Sequence, residues 1–278
     1  MMSDDPMNEE YPFNYSLLKS QCESVIKECG EEILSHFGKV NSEHIEEKEW
    51  NSLVSYVDKN AEIFLVKSLR NIFPEAGFIT EENTVPRSQS EWVWVIDPLD
   101  GTTNYLEQLP VFSISVGLMR KNEVVVGFVY DPCRDELYHA QKGKGATLNG
   151  KRLQIKTLKT MNEVLTATGF PYSRSFDYDT ALLVFKQFLK ESRDIRRLGS
   201  AALDLCYVAA GRFGVYYETN LNIWDVCAGV LIVREAGGEV TDFSGSEEDF
   251  LHHGQILAAA SHLYPKAFEL VQPMKNVF

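Results

Sequence analysis

The chain has 278 residues, 44% of them hydrophobic and 24% charged, an ordinary globular composition. A chain of this size buries roughly 70–75% of its unfolded surface, so it can build a core without disulfides or a structural metal. Its 27 basic and 40 acidic residues give a formal net charge of −13. That excludes a general nucleic-acid or membrane-surface binder, which needs a basic face, but leaves room for a small anionic substrate held by a bound cation.

No stretch reaches the roughly 18 consecutive apolar residues of a membrane span; the longest apolar run, Val226 to Val233, is closed by Arg234. The opening MMSDDPMNEE lacks an apolar core, so residues 1–10 read as a disordered tail rather than a secretory signal. Residues 11–278 read as a single domain with no internal linker. Cys22, Cys29, Cys133, Cys206 and Cys227 are odd in number and lack paired short spacings. They read as reduced thiols of a cytoplasmic protein, not a zinc site. The six histidines show no metal spacing and read as structural or surface residues.

In chain order, Leu17, Leu18, Val25, Ile26, Ile33 and Leu34 fall at helical spacing between Tyr15 and Phe37, with Gly38 as the terminator. Residues 39–57 read as a short hairpin or an exposed arm. Asp58 is placed to open the next helix, which stops before Pro74. Gly77–Thr80 and Trp92–Ile96 read as strands, the second apolar throughout and so covered on both faces; Pro98 takes the chain out of its ladder. Strands follow at Val111–Met119 and Glu123–Tyr130 across a turn at Lys121-Asn122. More follow over 135–155, with a hairpin at Asn149-Gly150. The second half reads as a strand near 164–168, a helix over 177–190, a strand at 195–198, a helix over 200–211 and a strand at 213–217. A helix from Trp224 to Ala236 closed by Gly237-Gly238, a strand at 256–260 and a helix over 264–272 complete it. Elements alternating in blocks favour a layered α/β or α+β packing over a regular βαβ series.

The informative stretch is Asp97-Pro98-Leu99-Asp100-Gly101-Thr102-Thr103, directly after an apolar strand. Ligand sites of open α/β sheets lie at that end of a strand. The turn can aim Asp97, Asp100 and the Leu99 carbonyl at one point, a hard-oxygen set suited to Mg²⁺ or Mn²⁺. Gly101-Thr102-Thr103 then opens a helix whose free amides can cradle a phosphate. Glu81-Glu82 ends another strand and Asp225 starts a helix. Two carboxylates at 4 Å repel by about 4 kcal/mol at an effective dielectric of 20, so convergence of these acids calls for a divalent counter-ion. Each also has a plainer reading taken singly: Asp97 and Asp225 as helix caps, DPLDG as a turn, Glu81-Glu82 as a solvated face. The loop lacks the alternating acids of a calcium-binding EF-hand. Asp97 and Asp100 are three apart, not two as in the DxDGT of haloacid-dehalogenase-type phosphatases, so a phospho-aspartyl mechanism is disfavoured.

WVIDPLDGTTNY at 94–105 and WDVCAGVLIVREAGG at 224–238 resemble the two signatures of the inositol monophosphatase family, with the ITEEN stretch matching its upstream glutamate. The likeness runs over roughly residues 15–270. It implies a five-layered αβαβα sandwich of the inositol monophosphatase/fructose-1,6-bisphosphatase type. It also implies a homodimer and a lithium-sensitive, Mg²⁺-dependent phosphate monoester hydrolase using two or three Mg²⁺ per subunit, with Mn²⁺ as a substitute. Glu81, Asp97, Asp100, Asp225 and the Leu99 carbonyl fall on its metal positions. Glu81 and Thr102 fall on the residues that orient the attacking water, and Asp58 on the aspartate behind that threonine. The Gly101 and Thr102 amides fall on the phosphate cradle. Gly199, Ser200, Ala201 and Glu218 fall on the substrate side. The segment 39–50, where family members often carry a mobile metal-coupled loop, is highly acidic here, and the TGFPYS stretch at 168–173 resembles bacterial members more than animal ones. The substrate implied is inositol 1-phosphate. Fructose 1,6-bisphosphate or a broad set of sugar phosphates are alternatives, a 3′-phosphonucleotide ranks lower because Thr103-Asn104 follows DGT in place of Lys-Glu, and a non-catalytic binding protein ranks last.

Overall fold

The computed structural model describes residues 11–40, 45–49, 52–155, 159–170, 176–247 and 254–276. The expected tail, residues 1–10, lies outside them. The first long apolar periodicity becomes α1 (Tyr15–His36), and β1 (Ile45–Glu49) and β2 (Ser52–Ser55) form an antiparallel hairpin before α2 (Tyr56–Ile72). Asp58 does not open α2. Ser55 is its N-cap and Asp58 closes the capping box from the third helical position, so the helix starts two residues earlier than expected.

A seven-stranded sheet runs in the order β3 (Gly77–Thr80), β4 (Trp92–Asp100), β5 (Ser113–Arg120), β6 (Glu123–Asp131), β7 (Glu136–Gln141), β8 (Gly145–Leu148), β9 (Lys151–Leu153). Only the β3–β4 pair is parallel. The turns at Lys121-Asn122 and Asn149-Gly150 have positive φ at both residues, as tight hairpins require. Strand β4 continues through Pro98, which sits in a ladder irregularity between Asp97 and Asp100. The short helix α3 (Thr102–Leu106) follows.

A five-stranded mixed sheet runs in the order β11 (Asp194–Arg196), β10 (Leu165–Thr168), β12 (Val215–Glu218), β14 (Ile256–Ala260), β13 (Gly238–Thr241). Strand β13 falls where the sequence suggested only a glycine helix stop. The remaining helices are α4 (Tyr178–Glu191), α5 (Ala201–Ala209), α6 (Ile223–Glu235) and α7 (Tyr264–Val271).

Side-chain alternation along the strands sorts these elements into layers. Trp92, Trp94 and Ile96 bury against α1 and α2, through Leu18, Cys22, Ile26, Leu65 and Leu69. Val93 and Val95 face the opposite way, into a core shared with Leu205 of α5, Val230 of α6 and Tyr216 of β12. Val215 and Tyr217 turn to the far side, onto Val184 and Phe188 of α4 and Val271 of α7. The result is the expected αβαβα sandwich. Each such buried side chain contributes about 1.5–3 kcal/mol. Helix α6 lies very close over the seven-stranded sheet. A Cβ at Gly127 of β6 would stand 2.8 Å from the Ala228 carbonyl oxygen, so glycine lets α6 approach and fixes where its N-terminus ends.

Candidate active site

Parallel pairing of β3 with β4 in the register Thr80–Ile96 brings the next residues, Glu81 and Asp97, side by side, with the Glu81 amide donating to the Ile96 carbonyl at 3.2 Å. The Glu81 and Asp97 side chains lie against each other, acid to acid. Asp97 is buried, and its Oδ1 accepts the Leu99 amide at 3.0 Å. Burial first, then the charges of Glu81, Asp100 and Asp225, push its carboxyl well above the usual range. Asp225, at the third position of α6, accepts the Asn222 amide at 2.6 Å. It is raised by burial and by Glu81 and Asp100. It is thus a cap partner and a member of the acid cluster together.

Asp100 takes a different set of donors. Its Oδ2 accepts Ser200 Oγ at 2.7 Å and the Ala202 amide at 2.8 Å, and its Oδ1 accepts the Ala201 amide at 3.3 Å. These donors form the N-terminus of α5, where amides and helix dipole favour an anion. Burial still outweighs them and raises Asp100 to about 6. Ser200 and Ala201, expected on the substrate side, here hold Asp100 in place.

The Leu99 carbonyl and the Thr102 hydroxyl are 3.1 Å apart, and Thr102 Oγ1 also donates to Asp58 Oδ1 at 2.9 Å. Asp58 Oδ2 accepts both the amide and the hydroxyl of Ser55, at 2.9 and 2.7 Å. Gly101 is left-handed at φ 101°, and a Cβ there would stand 3.0 Å from the Val111 carbonyl and 3.2 Å from that of Gly199, so only glycine fits. Asn104 donates to the carbonyls of Val111 and Leu198 at 2.8 and 2.7 Å and binds the Gly199 loop to α3. With only five residues, α3 supplies less dipole than the sequence suggested. Glu218 ends β12, accepts the Tyr216 hydroxyl at 2.8 Å, and is raised to about 7 by burial, opposed by that hydrogen bond and reinforced by Asp100.

All twelve expected residues therefore lie around the C-terminal end of β4 or feel its charge. Among the described residues, neither Asp97, Asp100 nor Asp225 has a Lys, Arg or His ion-pair partner, and no three acids form a closed ligand cage. The cluster is one of converging charge. An all-oxygen donor set carrying uncompensated buried charge fits Mg²⁺ or Mn²⁺.

This layered fold, with acids converging at the ends of β3 and β4 and the start of α6, is that of the inositol monophosphatase-type α/β proteins. Residues 15–275 match the inositol monophosphatase family, and the chain belongs to it. It is similar to Nus factor SuhB of Pasteurella multocida, 40% identical over 81% of this chain and 85% of that protein. The crystal structure of extragenic suppressor protein suhB from Bartonella henselae superposes with a TM-score of 0.87 at 34% identity, covering 92% of this chain and 98% of that one. The IMPase of Thermotoga maritima gives 0.82 at 31% identity, covering 91% and 96%.

Two residues of the site escaped the sequence reading. Glu62 and Asp204 are almost completely buried. Burial, followed by the charges of Glu218 and Asp100, raises Asp204 far above the carboxylate range, with Arg197 opposing. In sequence both look like ordinary helix acids. The available signal was their apolar flanks, Ala61/Ile63 and Leu203/Leu205.

Proposed function

We propose that the chain hydrolyses a small phosphate monoester in a Mg²⁺-dependent reaction, with inositol 1-phosphate the first candidate and other sugar phosphates, fructose 1,6-bisphosphate included, the alternative. The observation that carries this reading is the buried group Asp97, Asp100 and Asp225, raised in part by the charge of Glu81 and, among the described residues, without a Lys, Arg or His ion-pair partner. Glu81, Asp97 and the Leu99 carbonyl would hold one Mg²⁺, and Asp97, Asp100 and Asp225 a second. Bound Mg²⁺ supplies Lewis acidity and offsets the charge on the phosphoryl and leaving oxygens.

The chain's own residues do the rest. Asp58 accepts the Thr102 hydroxyl and so draws its proton toward itself. The Thr102 oxygen is then left to accept a proton-bearing bond from the attacking water, with Glu81 on the same side. The Gly101 and Thr102 amides face the phosphoryl oxygens, Glu218 and Gly199 meet the substrate hydroxyls, and Ser200 and Ala201 act through Asp100, which they hold. Attack is in line and direct, with positioning and charge stabilisation providing the rate. The Thermotoga relative called IMPase supports inositol phosphate as the substrate.

The test is phosphate release from inositol 1-phosphate, sugar phosphates, fructose 1,6-bisphosphate and a 3′-phosphonucleotide, with Mg²⁺ or with EDTA. Mg²⁺-dependent release, fastest with inositol 1-phosphate, is expected; release that ignores EDTA overturns the mechanism. The active form is a homodimer, which light scattering checks.

A second reading is favoured by the name Nus factor carried by the SuhB relatives. In this chain such a role would run through protein contacts, because a net charge of −13 repels a nucleic-acid backbone. Asp100→Asn separates the two, ending phosphate release while sparing a binding role.

A further inference from the structure

Resting on the phosphatase reading, we propose that Glu62 is a positioning residue that sets the metal-facing Glu81. Glu62 is on α2, one turn after Asp58, with no exposed surface. Its Oε2 accepts the Glu82 amide and its Oε1 the Thr84 amide, each at 2.7 Å. Bonds this short to an acidic side chain are of the charge-assisted kind. The two amides flank Asn83, a left-handed residue at φ 54°, whose side chain donates to the Glu81 carbonyl at 3.0 Å. A non-glycine residue in that region is held there by its surroundings. Both oxygens of Glu62 thus clasp the turn that carries Glu81 away from β3.

The same helix acts on the opposite side of the site. Asp58, four residues earlier, holds the Thr102 hydroxyl at 2.9 Å. Residues four apart share a helix face. Helix α2 therefore fixes the separation between Glu81 and Thr102, the pair assigned to the attacking water. Glu62 touches neither metal nor substrate; it acts through the backbone of residues 82–84. A glutamine in its place keeps the shape but sets an amide nitrogen against one of the two N–H groups, breaking half of the clasp.

The experiment titrates Mn²⁺ into metal-stripped wild type and Glu62→Gln, by electron paramagnetic resonance and calorimetry. Groups that orient metal ligands typically govern affinity by 10–100-fold, so an Mn²⁺ dissociation constant weaker by about that factor is expected. kcat at saturating Mg²⁺ should fall by a smaller factor than the affinity. A purely structural role would lower Tm and leave Mn²⁺ affinity unchanged, and that result overturns the proposal. Should Glu62→Gln fail to fold, amide exchange in the wild type decides. The Glu82 and Thr84 amides must exchange far more slowly than that of Asn83, and equal rates overturn the clasp. A wild type that binds no Mn²⁺ sinks the phosphatase reading as well, whereas equal binding by wild type and variant sinks this proposal alone.

Discussion

Asp131 and Asp97 lie toward the C-terminal ends of two long strands, β6 and β4, that flank β5, and both are buried. Asp131 has a partner within the chain: Arg134 reaches its Oδ2 at 2.8 Å and the Arg134 amide its Oδ1 at 3.1 Å. Asp97 has one backbone donor and a second carboxyl group. At Asp131 the sequence supplies a cation three residues on. Where the acids gather at Asp97, Asp100 and Asp225, the described residues supply none, which is what the proposed metal ions would offset. Desolvation without pairing is costly enough that such a group is a functional marker.

The largest test of this contrast is to neutralise each acid in turn. Asp97→Asn should lower phosphate release by at least about 10²-fold, the scale of one lost electrostatic contact at a reacting centre. In the metal-stripped chain the same change should raise Tm, because it removes repulsion. Asp131→Asn should leave phosphate release within a few-fold and lower stability by about 1–3 kcal/mol, the usual effect of breaking a buried hydrogen-bonded pair. Mg²⁺ should raise Tm in wild type and in Asp131→Asn but barely in Asp97→Asn. Equal Tm shifts of the two variants, in sign and size, would erase the distinction.

Glu218, the acid proposed for the substrate side, sharpens it further. Its carboxyl rises from an ordinary 4.5 to about 7, chiefly through burial. The folded chain therefore keeps a proton that the unfolded chain releases between these values, and stability from this group falls as pH rises from about 4.5 to 7. The Tm of Glu218→Gln relative to wild type should climb across that interval and level off above it. A difference independent of pH would show that Glu218 is already ionised in the fold.

Much of this was legible because local chemistry and tertiary structure agree. The turns at Lys121-Asn122 and Asn149-Gly150 are tight turns by composition, and the DPLDG acids stand at a strand end because the preceding run is apolar on both faces. Errors came where a long-range partner overrides the local signal. Pro98 would normally end a strand, but the irregularity opposite β5 accommodates it. Gly238 would normally finish a helix, but Val240 and Thr241 find β14 waiting. Glu62 and Asp204 look solvated along the helix and are buried only once the layers close. Ser200 reads as a cap, which it is, yet its hydroxyl also reaches Asp100 across 100 residues of chain. No spacing rule reports such a pair.

The smallest expected effect tests the start of α2, which the sequence reading placed at Asp58. Ser55 is buried, its hydroxyl accepts the Val57 amide at 3.1 Å and donates to Asp58 at 2.7 Å. Ser55→Ala removes both bonds but keeps the Ser55 amide that also holds Asp58. Loss of an N-cap oxygen costs roughly 0.5–2 kcal/mol, a fall of a few degrees in Tm for a chain of this length. Asp58 would keep its bond to Thr102, so kcat should drop only a few-fold, with Mg²⁺ affinity unchanged. A collapse of activity as deep as that of Asp97→Asn would mean that the cap, and not the cluster of acids, governs the orientation of Thr102.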